Sequence, residues 1–149
     1  MVPEGVNITE LAAEMRADGI TGASLTEEPL IAEALSGHDS IGVAVVPVRA
    51  QMPADYRDVA QELADATGLD TVIVRGVGTT SAVSEGYSRA AIETAQAKVA
   101  ATPDHAAAVT QLLASVEGAG MNWWALGGAL LILISMCAVA TIVTSSAQR

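Results

Sequence analysis

Residues 40–77 read SIGVAVVPVRAQMPADYRDVAQELADATGLDTVIVRGV, and the succession of patterns within them decides the fold. Ser40 to Arg49 is apolar on both faces, with Ile41, Val43 and Val45 on one and Ala44, Val46 and Val48 on the other. That is how a strand covered on both sides reads. Thr71 to Val77 repeats it. Between them Tyr56, Val59, Ala60 and Leu63 recur at helical spacing, from an opening at Pro53 and Asp55 to about Ala66, with Gly68 as the stop. Strand, helix and strand joined by short links predict a βαβ crossover with parallel strands and a right-handed connection. Pro47 has no N–H for the ladder, so the far end of the first strand is expected at an edge or bulge.

Working outward towards the N-terminus, Asn7 is placed to cap a helix whose Ile8, Leu11, Ala12 and Met15 share one face, and Gly19 is placed to end it. A loop leads to a second helix, expected to be capped by Thr26, with Glu27 and Glu28 at its positive end and Pro29 in the first turn. Leu30, Ile31, Ala34 and Leu35 supply its apolar face, and Gly37 stops it. On the other side, Gly76 to Ser81 reads as a turn, with Ala82 and Val83 as a short added strand. A fourth helix is expected from Tyr87 to Ala101 through Ile92, Ala95 and Val99. Thr102, Pro103 and Asp104 then read as cap, first-turn proline and acid, opening a fifth helix to about Glu117 through Ala106, Val109, Leu113 and Val116. Gly118, Ala119 and Gly120 are expected to break or loosen it.

The C-terminal stretch is of another kind. Residues 123–144, WWALGGALLILISMCAVATIVT, carry no charge, and as a helix rising about 1.5 Å per residue they would match the roughly 30 Å of a bilayer's hydrocarbon. Leu126, Leu130, Leu131, Ile132, Leu133, Ile134, Val139, Ile142 and Val143 fall on all sides of such a helix, unlike the one-sided stripe of a surface helix. Trp123 and Trp124 stand where indole rings favour the headgroup layer. A transmembrane anchor is expected. The domain plan is therefore an acidic α/β head over 1–117, a glycine-containing link over 118–122, the anchor over 123–144 and a short tail over 145–149. The segment MVPEGVNITELAAEMR has neither a basic nor an apolar region of a signal peptide, and Val2 excludes myristoylation.

Seventeen acidic residues face six basic ones in the head, since Arg149 is the seventh, for a net charge of −11. Such a surface repels nucleic acid and anionic headgroups, so neither is expected as a partner. Phe is absent, and Tyr56 and Tyr87 are the aromatics outside the anchor, so Val, Ile, Leu and Ala must build the core. With Cys137 alone, an internal disulfide and CxxC chemistry are excluded.

Each residue type that could carry chemistry has a plainer reading. Gly76 and Gly78 after a strand could offer backbone N–H groups to phosphate, but Ser81 stands where a third glycine belongs, and a plain turn is favoured. Asp55, Asp58, Glu62 and Asp65 lie at helical spacing as oxygen ligands for Ca²⁺ or Mg²⁺ would, yet without a D-x-D-x-D-G loop they read as a solvated face. His38 and His105 have no second ligand near them in sequence. Ser81, Ser84 and Ser88 lack a G-x-S-x-G setting and a visible base. Cys137 within lipid would be inert. Ala125 and Ala129 give a small-xxx-small spacing that would suit a helix dimer. No residue is assigned a catalytic or metal-binding role, and no cofactor is expected.

The opening VPEGVNITELA, the strand IGVAVVPVRAQ, the segment DVAQELADATGLDTVIVRG and the WW-led anchor resemble a family of small actinobacterial membrane proteins of unknown function, over nearly the whole chain. More distantly, Leu30 to Val77 looks similar to the TPM domain, an α/β module held near membranes. That resemblance implies a small sheet flanked by helices, a part in assembling or repairing membrane complexes, and in some members phosphatase activity or Ca²⁺ binding. The aspartate-containing opening of that domain has no counterpart around Ile20 to Leu25, so no catalytic residue carries over. The leading expectation is a non-enzymatic adaptor or regulator of a membrane or cell-envelope complex, single-pass and tail-anchored in the cytoplasmic membrane with its head inside. A weak metal-dependent phosphatase and a homo-oligomeric scaffold are the alternatives.

Overall fold

The computed structural model describes residues 1–119, and the chain divides into two compact units, Met1–Ala119 and Gly120–Arg149. The first unit runs α1 (Ile8–Asp18), β1 (Ile20–Thr21), α2 (Glu28–Ala34), β2 (Ile41–Val45), α3 (Pro53–Thr67), β3 (Thr71–Gly76), β4 (Thr79–Ser84), α4 (Arg89–Val99) and α5 (His105–Ala119). Its four strands lie side by side in sequence order, β1, β2 and β3 parallel and β4 antiparallel to β3.

The double-sided apolar pattern of β2 and β3 is explained by helices on both faces. Ile41, Val43, Val45 and Ile73 pack with Ile31 of α2, with Ile92, Ala95 and Val99 of α4, and with Val109, Leu112 and Val116 of α5. Ala44, Val72 and Val74 point the other way, onto Ala12 and Met15 of α1 and Tyr56, Val59, Ala60 and Leu63 of α3. Successive side chains of a strand point to opposite faces, so one run of valines serves both layers. The mixed α/β fold with a helix-flanked sheet agrees with the expectation, and β2 and β3 pair in parallel across α3.

The two crossovers step the same way across the sheet, yet α2 lies on one face and α3 on the other. They therefore have opposite hands, an exception to the right-handed rule at one of them. The chain leaves the carboxyl ends of β1 and β2 towards opposite faces, and a crevice opens there. Gly22 makes the sharp exit from β1: its φ is +70°, and a Cβ would stand 2.2 Å from the Val45 carbonyl oxygen.

Several local expectations hold. The Asn7 side chain accepts from the Glu10 N–H at 3.3 Å, and Gly19 closes α1 in the left-handed conformation. The apolar faces of α3 and α4 are buried as expected. Others are corrected. The loop after α1 contains β1, a two-residue strand too short for a hydrophobic period to reveal. Thr26 does not cap α2; Ser24 does that work, its carbonyl accepting from the Glu27 and Glu28 N–H groups while its hydroxyl donates to Glu27. Leu30 is half exposed, leaving Ile31 to anchor that helix. Pro47 falls beyond the end of β2, which is an interior strand.

The supposed turn from Gly76 to Ser81 is a hairpin in which Val77 and Gly78 turn, and Thr79, Thr80 and Ser81 already belong to β4. Helix α4 begins at Arg89 behind a Ser88 cap. Asp104, not Thr102, caps α5, accepting from the Ala107 N–H at 2.7 Å. Gly118 stays helical, and α5 continues to Ala119.

Candidate functional site

The crevice at the carboxyl ends of the parallel strands is where open α/β sheets place their ligands. Here it is a cleft of about 460 Å³ between the ends of β2 and β3, the hairpin turn and the α4–α5 connection, with Arg75 and His105 among its walls. Arg75 is the residue that organises it. It is 3% exposed, in a strand whose neighbours are all buried, and its face of the sheet points to α4 and α5.

Its guanidinium donates to the hydroxyl of Thr80, to the carbonyls of Val99 and Thr102 and, at 3.3 Å, to Nδ1 of His105. The two carbonyls belong to the last turn of α4 and the loop that follows, where helix carbonyls lack partners and the helix dipole is negative. Burial lowers the Arg75 pKa, with the Asp104 charge opposing it, but a guanidinium stays protonated. Among the described residues no carboxylate lies within ion-pair distance of it, so carbonyl oxygens carry the neutralising partial charge.

The bond from Arg75 makes Nδ1 of His105 an acceptor, so the neutral ring carries its proton on Nε2. That nitrogen faces Oε1 of Glu27 at 3.8 Å, a close approach that is too long for a hydrogen bond. Glu27 itself is held below the usual carboxylate range, first by the Ser24 hydroxyl and then by the Ser24 N–H. The chain Glu27, His105, Arg75 thus ties the β1–α2 loop to the start of α5 and the end of β3. Three large apolar side chains stand exposed on the loops of this end: Leu25 at 91%, Met52 at 60% and Val77 at 44%.

The residues singled out in the sequence do not converge here. Gly76 is occupied with Tyr56, whose ring atoms would lie 2.4–2.6 Å from an added Cβ. The Tyr56 hydroxyl donates to the Val48 carbonyl and accepts from the Ala50 and Val77 N–H groups. The loop is thereby a packing joint, and the plain-turn reading of its glycines stands in preference to a phosphate cradle.

Asp55 is not on a solvated face. It is buried, accepts from the Met52 N–H at 3.0 Å and from the Met1 ammonium, and its pKa is lowered by those bonds in that order. Asp58 also meets the ammonium, and Asp65 accepts from Gln61. Among the described residues no three His, Cys, Asp or Glu side chains are placed to share a metal ion.

His38 lies at the opposite end of the sheet, 3.6 Å from Glu117. Ser84 pairs with Thr71, Ser88 caps α4, and Ser81 is on the α3 face, so none of these hydroxyls is bonded to a histidine. The anchor residues Trp123, Trp124, Leu126, Leu130, Leu131, Ile132, Leu133, Ile134, Val139, Ile142 and Val143, with Ala125, Ala129 and Cys137, lie outside the described residues.

Arg75, Glu27 and the hairpin were missed as functional positions. Arg75 had a signal: a charge at the fifth position of TVIVRGV, where both flanking faces are apolar, must be buried and paired with something. Glu27 had none, because its partner is 78 positions away and reaches it only through the fold.

These features define a head of three layers, helices on both faces of a mixed four-stranded sheet, with a hydrogen-bonded polar cluster at its carboxyl edge. The chain belongs to the family described as membrane protein Rv1476, whose model matches residues 1–149. No curated protein and no solved structure matches it. The protein is accordingly a membrane protein, of a family whose function is unknown. Among the described residues no helix is long and apolar enough to cross a membrane.

Proposed function

We propose that this protein is a membrane-anchored, non-enzymatic adaptor: the α/β head engages a protein of a membrane or cell-envelope complex, and the apolar segment 123–144 holds it in the cytoplasmic membrane as a single-pass tail with the head inside. One observation carries the reading. The polar cluster at the carboxyl edge spends its donors on the fold itself, while Leu25, Met52 and Val77 stand exposed on three separate loops around it. Exposed apolar side chains grouped at one end suit a protein contact better than a reacting centre.

The test places a photo-crosslinking amino acid at position 25, 52 or 77 of the full chain in cells. A discrete protein adduct from these positions, and none from the exposed Ala32 on α2, is the expected result. No adduct at all three, together with phosphoester turnover by the purified chain, would remove the adaptor reading.

A further inference from the structure

The second edge of the sheet is built differently from the first. At β1 the edge is two residues long, and its Ile20 N–H is covered by the Asp18 side chain at 2.9 Å. At β4 it is six residues long. The hairpin closes at the pair Gly76 and Thr79, and the pairs Val74–Ser81 and Val72–Val83 follow in the same register. The Glu85 N–H bonds the Asp70 carbonyl at 2.8 Å, which continues that series. Antiparallel pairs alternate between bonded and non-bonded, so Thr80, Ala82 and Ser84 aim their N–H and C=O groups away from β3. Only one of these is covered: the Gln96 side chain donates to the Ala82 carbonyl at 3.1 Å. The three N–H groups meet no acceptor among the described residues.

This open edge lies along a groove of about 500 Å³ between α3 and α4. Leu69, Val83 and Ile92 give it apolar surface, and Arg57 and Asp65 of α3 line one wall. The walls come close together, since the Arg57 charge is felt at Glu93 of α4. We propose that β4 receives an extended segment of a partner protein as a fifth strand, with a basic residue at the end nearest Ser84.

The backbone supplies the bonding pattern of strand addition, and the helices cover both faces of β4 while leaving its edge free. Asp65, Asp70 and Glu85 gather around the Ser84 end of the groove, which selects a Lys or Arg there. A second copy of the chain would bring its own α3 and α4 alongside its own β4, and four helices would crowd two strands. A lone extended segment carries no such walls. This inference rests on the β4 geometry and stands apart from the carboxyl-edge contact proposed above.

Hydrogen exchange on the full chain in nanodiscs tests it, with a synthetic probe of two N-terminal lysines followed by alternating valine and threonine. The probe is expected to protect the amides of Thr80, Ala82 and Ser84. The same peptide N-methylated at alternate backbone nitrogens is expected to protect none, because the side chains are kept and the bonds removed. Glu85→Lys with Asp65→Lys, both at exposed positions, should weaken the probe about tenfold at low salt. Ala82→Pro removes an N–H that no ladder bond uses and should abolish protection.

Equal binding of the methylated peptide overturns the proposal, as does absence of protection at millimolar probe. Protection in the free protein that rises with its concentration would give the edge to a second copy and overturn it likewise. Lost protection beside intact photo-adducts at positions 25, 52 and 77 would sink this inference and leave the adaptor reading in place.

Discussion

At the scale of single residues, Arg75 does most to join the parts of the head. A cation in the middle of an apolar strand is costly unless its donors are met, and here they are met by the loose end of α4, by Thr80 and by His105. Arg75→Met keeps the packing of the stem but leaves the Val99 and Thr102 carbonyls short of a donor. We expect a loss of about 3 kcal/mol, read as a lower melting temperature of the head fragment 1–119.

Asp55 provides a pH test. Its folded pKa lies below the ordinary value of 3.8 because the Met52 N–H and then the Met1 ammonium favour the carboxylate. A depressed carboxyl contributes stability that is present above the unfolded pKa and lost as the pH falls through the folded one. The wild type should therefore lose stability steeply below about pH 4, and Asp55→Asn should flatten that limb in acid titrations followed by circular dichroism.

Single elements depend on their caps and joints. The hairpin between β3 and β4 is seated by the Tyr56 ring lying flush on Gly76, with the Tyr56 hydroxyl holding the Val77 N–H. Gly76→Ala would force backbone and ring apart. Overpacking of this kind costs roughly 1–3 kcal/mol, and denaturant melts of the fragment would show it, with raised exchange at Val77. Helix caps give a sharper contrast. Asn7→Ala should cost about 1 kcal/mol by freeing the Glu10 N–H. Thr26→Ala should change almost nothing, since the Ser24 carbonyl and hydroxyl already close the start of α2. Equal losses from the two substitutions would contradict the assignment of the cap.

For the whole molecule the governing quantity is on which side of the membrane the acidic head stands. The exposed Ser40 lies at the amino end of the sheet, and Ser40→Cys in a Cys137→Ser background offers one thiol to an impermeant maleimide. With the head inside, no labelling is expected until the cells are lysed. Labelling of intact cells would put the head outside and turn the search for its partner to the cell wall. Helix α5 begins beside the polar cluster at His105 and ends near His38 at the other end of the sheet. The described head thus hands the chain on at the end opposite Leu25, Met52 and Val77.

Local chemistry sufficed for much of this. Alternating and continuous apolar runs marked β2 and β3, helical spacing marked the buried faces of α1, α3 and α4, and Asn7, Gly19 and Gly68 marked boundaries, because each is decided by residues a few positions apart. The charge-free run 123–144 was equally plain as sequence. What only the tertiary structure decided involves residues distant along the chain. A two-residue strand exists because β2 offers Val43 and Ala44 as partners, and not because Ile20 and Thr21 carry a pattern. The opposite hands of the crossovers follow from which face each helix covers. Arg75 finds Thr102 and His105 some 27 and 30 positions on, and β4 is an open edge only because no further strand of the head lies beside it. Propensity and periodicity act within a turn or two of chain, whereas a buried cation's partners and a sheet's free edge are set by packing across the whole fold.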